Sequence, residues 1–168
     1  TCVSQPRSIV ASTLDAALSA PMFLGSGDTL FLPPHPSGDV NEPTLTTTLV
    51  FGAVPGVTVA GFPSTNDELL RLSSGGSFRC MEVRAAPAAP LAISLHRLWF
   101  HRCASFDAGA AALWSQFATL VVVHAGFTDC TGSHAGAVVV SNTTSMSFFH
   151  RVHMSNNSCN GTECKGGA

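Results

Sequence analysis

The apolar positions of residues 91–168 recur at a fixed spacing of 27 residues. Three columns of matching positions are apolar in every copy: Leu95, Val122 and Phe149; Leu98, Ala125 and Val152; Phe100, Phe127 and Met154. A fixed period of this length indicates stacked supersecondary units rather than one globular layout. Because the unit is short, rich in β-branched residues and punctuated by glycine, the pattern predicts strands rather than helices.

Twenty-seven residues suit one turn of a parallel β-helix, because about three short strands and their corners use that length at about 3.3 Å per residue. Equivalent residues of successive turns would then stack about 4.8 Å apart. Cys103, Cys130 and Asn157 form a fourth column, which we place at a corner. The third strand of the unit is predicted at 110–113 and again at 137–140, each time after a glycine. We therefore expect an all-β fold, a single-stranded parallel β-helix.

The first ninety residues are less regular. Residues 8–20 have Ile9, Leu14 and Leu18 on one side, and Pro21 follows, so the pattern predicts a short helix that caps the coil. Strands are predicted at 29–32, 44–51, 57–59 and 78–83. We interpret 29–90 as irregular early turns and 1–168 as one domain of about five turns.

The repeats contain a glycine-alanine turn and, later in each unit, an aromatic residue three positions before an asparagine. Lys165-Gly166-Gly167-Ala168 is the fullest turn, and 108–110 and 135–137 are Ala-Gly-Ala forms of it. The aromatic and asparagine positions hold Phe100 and Cys103, Phe127 and Cys130, and Met154 and Asn157. This alternation resembles the Gly-Gly-Ala and Phe-x-x-Asn repeats of polymorphic outer-membrane proteins, which are autotransporter adhesins. The resemblance implies a right-handed coil and contact with a cell surface or another protein.

The beginning of the chain is similar to a second group. A helix, then Gly27-Asp28-Thr29, an apolar strand and Pro33-Pro34 follow one another in the order of the N-terminal cap of pectin-lyase-like β-helices. The phrase Pro55-Gly56-Val57-Thr58-Val59 also resembles their early turns. Since that fold often carries polysaccharide lyases and hydrolases, the resemblance raises the question of enzyme activity.

Composition favours the secretory pathway. The chain has 6 Cys, and acceptor sequons for N-glycosylation begin at Asn142, Asn156 and Asn160. A disulfide between Cys103 and Cys130 is geometrically feasible, because they occupy equivalent positions on adjacent turns. Cys159 and Cys164 could close an inserted loop, which leaves Cys2 and Cys80 as the remaining pair. We expect a secreted or cell-surface protein.

Enzyme chemistry finds little support in the residues. Of the carboxylates only Asp67 and Glu68 are neighbours, and Asp107 and Asp129 hold different repeat positions, so no catalytic pair is predicted. Histidines three or five residues apart on a strand point to opposite faces, which argues against a metal site. A formal charge of −2 gives no general attraction to nucleic acid, and the longest apolar run, 118–125, cannot span a bilayer. We expect no cofactor and no metal.

One surface column suggests a ligand. Arg97, His124 and Arg151 share a repeat position that we place on the outside, and Trp99 and His153 lie two residues further on. This basic strip with an aromatic edge suits an anionic or carbohydrate ligand, although a solvated face with Trp99 covered explains the same pattern.

Three functions remain open. We favour a non-enzymatic extracellular β-helix serving as a structural, adhesion or assembly module. A carbohydrate-binding or polysaccharide-degrading β-helix and a subunit of a larger extracellular filament are the alternatives. Because no C-terminal cap follows the last Gly-Gly-Ala motif, we expect an N-terminal part of a longer solenoid, or a partner subunit stacked on this end.

Overall fold

The fold consists of short parallel strands. A computed structural model describes residues 5–11, 24–33, 44–52, 56–62, 69–87, 91–107, 109–143, 146–162 and 164. Every strand pair in these ranges is parallel, and no helix occurs in them. The all-β prediction is therefore confirmed for the described residues.

The described strands form three sheets. The seven-stranded sheet contains β1 (Ser8–Val10), β2 (Thr29–Leu32), β4 (Val57–Gly61), β5 (Leu70–Ser73), β7 (Leu91–His101), β10 (Ala118–Thr128) and β13 (Phe148–Ser155). The four-stranded sheet contains β3 (Leu49–Gly52), β6 (Met81–Arg84), β9 (Leu113–Gln116) and β12 (Val138–Ser141). The three-stranded sheet contains β8 (Ala104–Ser105), β11 (Thr131–Gly132) and β14 (Ser158–Cys159).

From β7 onwards the chain visits the three sheets in a repeating order. β7 lies in the seven-stranded sheet, β8 in the three-stranded sheet and β9 in the four-stranded sheet, after which β10 returns to lie beside β7. The register follows the sequence period, since Phe100 pairs with Phe127 and Phe127 pairs with Met154. Residues 27 apart therefore occupy equivalent places on successive passes of the chain.

The four-stranded sheet departs from this period. Leu113 pairs with Val138 and Ala110 bridges Ala135, so equivalent positions here are 25 residues apart. The predicted strands at 110–113 and 137–140 are displaced, and β9 and β12 begin later than expected. Since β13 returns to the 27-residue register, the path from Val138 to Phe148 is two residues longer than the equivalent path from Leu113 to Val121. The spacing of the glycines did not predict this register, because the strand pairing does not place Gly109 opposite Gly136.

The prediction of an N-terminal helix is wrong for its first residues. Ser8–Val10 forms β1, which pairs with β2 and places Ile9 beside Leu30. Ile9 packs against the core, so the apolar residues that suggested a helix face instead continue a ladder between strands. Residues 12–20 of the predicted helix lie outside the described residues.

Residues with positive φ recur at matching positions on successive passes of the chain. Arg97, His124 and Arg151 have φ of 58°, 53° and 52° and occupy one repeat position. A second set with positive φ is Arg102, Asp129 and Asn156. A third set has two members, Phe117 and Asn142. The first set bends its strands in the middle, so that β4 pairs with the first part of β7 and β5 with the second part.

The core is a set of apolar ladders that run across the strands. The rings of Phe100 and Phe127 stack with centroids 5.1 Å apart and planes 7° from parallel, and both side chains are fully buried. A second ladder passes through Leu30, Val59, Leu95 and Val122, and all four are fully buried. Each side chain is covered by its equivalents on both sides, as in other stacked repeat proteins.

Candidate functional site

Three residues of the predicted basic strip form a column of positions with positive φ. Arg97 and His124 are half-buried, and Arg151 is exposed on β13. Their neighbours on both sides pair in register across the strands, so the three residues lie one above another. Because each holds a left-handed backbone conformation, the column bends the strands as well as carrying charge.

Trp99 is half-buried and is flanked on both sides by residues of the neighbouring strands. It pairs in register with Arg71 of β5 and Gly126 of β10, and the Arg71 guanidinium lies 5.3 Å from the ring centroid. A Cβ on Gly126 would approach ring atoms of Trp99 to 3.2 Å, so the glycine leaves room for the indole. The indole Nε1 donates a hydrogen bond of 2.8 Å to Thr128. Trp99 therefore offers little ring surface for stacking a sugar.

The exposed remainder of the predicted strip lies on β13. Arg151 and His153 are both exposed, and His153 Nε2 lies 3.2 Å from the hydroxyl of Ser155. These two side chains can contact an anionic group from solvent, but Trp99 is two strands away from them. The five residues proposed for ligand binding thus divide into an enclosed part and an open part.

A buried ionic cluster centres on Arg79. Its guanidinium hydrogen-bonds to Glu82 (3.3 Å), Ser105 (2.9 Å), Asp107 (2.7 Å) and the carbonyl of Ala110 (2.8 Å). Arg79 and Glu82 are both nearly inaccessible to solvent. The ring of Trp114 lies beside this cluster, with the Arg79 guanidinium 4.7 Å and the Arg84 guanidinium 5.7 Å from its centroid. Sequence reasoning missed the cluster, because it joins two passes of the chain at positions with no recognisable motif.

Asp107 in this cluster is poorly suited to acid catalysis. Partial burial works against ionisation of Asp107, but the hydrogen bond from Ser105 and the charge of Arg79 hold its pKa below the usual value. A glycosidase needs one carboxyl group whose pKa is raised so that it can donate a proton. The pair found here, joined by one arginine, has the character of a structural ion network. Asp67 and Glu68 lie outside the described residues.

His101 lies beside a hydroxyl and a carboxylate without forming a catalytic relay. Its Nδ1 is 2.9 Å from Thr128 Oγ1 and 3.3 Å from Asp129 Oδ2. A relay requires the base to meet the nucleophile with one ring nitrogen and the carboxylate with the other. Here the same nitrogen faces both groups, so Asp129 does not orient His101 toward Thr128.

The described ranges lack two kinds of site. They contain no group of three or more His, Cys, Asp or Glu side chains arranged to hold a metal ion. The same ranges hold no helix of the length and apolar character needed to cross a membrane.

The three sequon asparagines share one feature, exposure to solvent. Asn142 and Asn156 are corner residues with positive φ, and Asn160 follows β14. Asn157 has a different role, because its amide donates to the carbonyl of Phe127 and accepts from the backbone N–H of Cys130. The geometry leaves the three sequon side chains accessible to a glycan-transferring enzyme.

The disulfide pairing agrees with the prediction for one pair of cysteines and differs for the others. Cys159 and Cys164 form the expected disulfide. Cys103 bonds Cys80, with Cα atoms 5.5 Å apart, so the suggested pairs Cys103–Cys130 and Cys2–Cys80 are wrong. Cys130 is a buried free thiol. The prediction compared only equivalent positions of the repeat, whereas the irregular earlier pass brings Cys80 to the same corner. Cys2 itself lies outside the described residues.

Comparison with known proteins adds no relative. No protein-family model matches the chain, and no curated protein or solved structure matches it.

Proposed function

We propose that this chain forms a right-handed parallel β-helix that serves outside the cell as a rigid, non-enzymatic structural or adhesion module. The observation that carries the proposal is the 27-residue register that relates β7, β10 and β13, with ladders of buried side chains across β7 and β10. Such ladders give each turn the same backbone path and make a stiff rod whose surface can vary. The resemblance to adhesin repeats agrees with this role.

The contacts made by the described polar side chains support a structural role. Arg79 binds both Glu82 and Asp107, and Trp99 packs between Arg71 and Gly126. None of these groups is arranged as an acid and base pair around an open cleft. The two disulfides and the exposed sequons suit an oxidising, glycosylating compartment.

The experiment that tests the proposal is mass analysis of the protein purified from its source. We expect N-glycans on Asn142, Asn156 or Asn160, and intact Cys80–Cys103 and Cys159–Cys164 bonds. The purified protein should release no products from acidic polysaccharides. Bare asparagines together with six free thiols would contradict an extracellular role, and polysaccharide cleavage would contradict a non-enzymatic one.

A second candidate function is that of a subunit in a larger assembly. One observation favours it: Phe149 and Met154 on β13 are each 38% exposed, although their equivalents Val122 and Phe127 on β10 are fully buried. β13 is the last strand in the order of its sheet among the described residues, and none of those residues pairs with its outer edge. A neighbouring copy of the chain that covers this edge would continue the ladders.

A further inference from the structure

Three buried cysteines meet at one corner of the fold. Cys80 and Cys130 are fully buried, and Cys103, which lies between them, is 1% exposed. Cys103 is bonded to Cys80, while Cys130 keeps its thiol. The free thiol and the disulfide are thus enclosed in the same part of the core, away from reductants in solvent.

Register places Cys130 directly beside Cys103. His101 pairs with Thr128 and Ala104 pairs with Thr131, so the intervening Cys103 and Cys130 are equivalent residues on adjacent passes. Adjacent strands lie about 4.8 Å apart, which is within the range of Cα separations that disulfides span.

The two sulfur atoms also have equivalent surroundings. The Sγ of Cys103 is 3.7 Å from the carbonyl of His101, and the Sγ of Cys130 is 3.3 Å from the carbonyl of Thr128. Cys130 Sγ additionally lies 3.8 Å from the carbonyl oxygen of Phe100, on the pass that carries Cys103. The side chain of Cys130 is therefore oriented toward the neighbouring pass.

We propose that Cys103 exchanges disulfide partners between Cys80 and Cys130. The Cys130 sulfur, after losing its proton, attacks Cys103 Sγ; a Cys103–Cys130 bond forms and the Cys80–Cys103 bond breaks. Cys80 leaves as a thiolate and takes up a proton, so one disulfide and one thiol are present before and after. No external oxidant or reductant is consumed. The disulfide thereby moves from an irregular connection to a link between equivalent residues of adjacent turns.

Two physical terms govern this exchange. The bonds span 23 residues between Cys80 and Cys103 and 27 between Cys103 and Cys130, so loop-closure entropy hardly distinguishes them. Burial raises the pKa of the Cys130 thiol to about 11. Because the thiolate is the attacking species, exchange should be slow at neutral pH and about tenfold faster for each pH unit gained.

The first test removes the present partner of Cys103. In a Cys2→Ser/Cys80→Ser variant, oxidation with glutathione disulfide should form Cys103–Cys130 in most molecules, as mapped by mass spectrometry of peptides after acid quenching and alkylation. The Cys159–Cys164 bond is an internal control that oxidation was sufficient. Alkylation of both Cys103 and Cys130 with Cys159–Cys164 intact would overturn the proposal.

The second test keeps all three cysteines and does not depend on the folding of that variant. A Cys2→Ser protein is held at pH 7, 8 and 9, quenched in acid, unfolded and alkylated with N-ethylmaleimide. We expect label on both Cys80 and Cys130, and an approach to the final ratio that is about tenfold faster per pH unit. Label on Cys130 alone after prolonged incubation at pH 9 would overturn the exchange.

Discussion

The guanidinium of Arg79 balances the charge of Glu82, a carboxylate that the fold removes from water. It contacts Glu82, whose side chain is 5% exposed, and Asp107, whose side chain remains 72% exposed. Burying a carboxylate is costly unless its partner is held in good geometry, and the loss of one partner leaves the other uncompensated. The network therefore tells more about the specificity of the fold than about a net gain in stability.

Replacing Arg79 with methionine should destabilise the protein strongly. We expect a loss of about 3–5 kcal/mol in the free energy of unfolding, because Glu82 would stay buried with less compensation. Urea denaturation followed by circular dichroism measures it. The matched control is Arg84→Met, which removes a 61%-exposed partner of the same carboxylate and should cost under about 1 kcal/mol. Equal losses in the two variants would show that burial of Arg79 is not what matters.

The lowered pKa of Asp28 predicts that the stability of the protein depends on pH in the acid range. Hydrogen bonds from the Arg7 guanidinium, the backbone N–H of Gly25 and the backbone N–H of Arg7 hold its pKa well below the usual value. A lowered folded-state pKa stabilises the protein above the unfolded pKa of about 3.9, and that contribution is lost as the pH falls below it. Asp28→Asn should therefore lower the urea midpoint at pH 7, and the difference from wild type should shrink toward pH 2.5. A difference that is constant across this range would contradict the argument.

At the scale of whole elements, the corners decide where each strand bends. Left-handed backbone costs about 1–2 kcal/mol for most L-residues and much less for glycine or asparagine. Positions 97, 124 and 151 hold arginine and histidine, so the sequence gives no sign of the corner that bends β7, β10 and β13. The 27-residue columns were predictable because their residues share one environment, whereas a corner residue need not reveal its conformation.

Substitutions at His124 should separate the corner from the strand. His124→Asn should stabilise the protein by up to about 1 kcal/mol, and His124→Val should destabilise it by about 1–2 kcal/mol, since β-branched residues tolerate positive φ poorly. His96 is the matched control, because it is a half-buried histidine within β7 that lacks positive φ. There valine should be at least as stable as asparagine. Thermal unfolding of the four variants measures whether asparagine or valine is more stable at each site. The same order of stability at His124 and His96 would contradict the role of positive φ at His124.

At the scale of the molecule, the sequence predicted the repeating passes better than their connections. Columns such as Phe100 and Phe127 were visible because parallel register makes each copy face the same neighbours. The two-residue shift of β12 was not visible in the sequence, because strand pairing depends on loop length as well as on glycine spacing. The contact of Arg79 with Asp107 and the bond of Cys80 to Cys103 were missed for a related reason. Both join the irregular early part of the chain to the regular repeats, where no period relates one position to the other.

The outer edge of β13 is where the ladders continue toward solvent. Phe149 follows Val122 in one ladder and Met154 follows Phe127 in another, yet both side chains are partly exposed. An edge strand with exposed apolar residues and unpaired backbone groups favours the addition of another strand. If neighbouring copies cover this edge, the protein should associate as its concentration rises.

Phe149→Asp tests that association. A carboxylate in the ladder would have to be buried against a neighbouring copy, which weakens association. The dissociation constant should therefore rise at least tenfold, which corresponds to about 1.4 kcal/mol or more. Sedimentation velocity at protein concentrations between about 1 and 100 µM measures it. Phe106→Asp is the control, because Phe106 is 77% exposed and lies outside the strands of the seven-stranded sheet. It should leave the dissociation constant unchanged, and circular dichroism should show both variants folded. Wild-type protein that stays monomeric at 100 µM would refute self-association at this edge, and equal weakening by both substitutions would place the contact elsewhere.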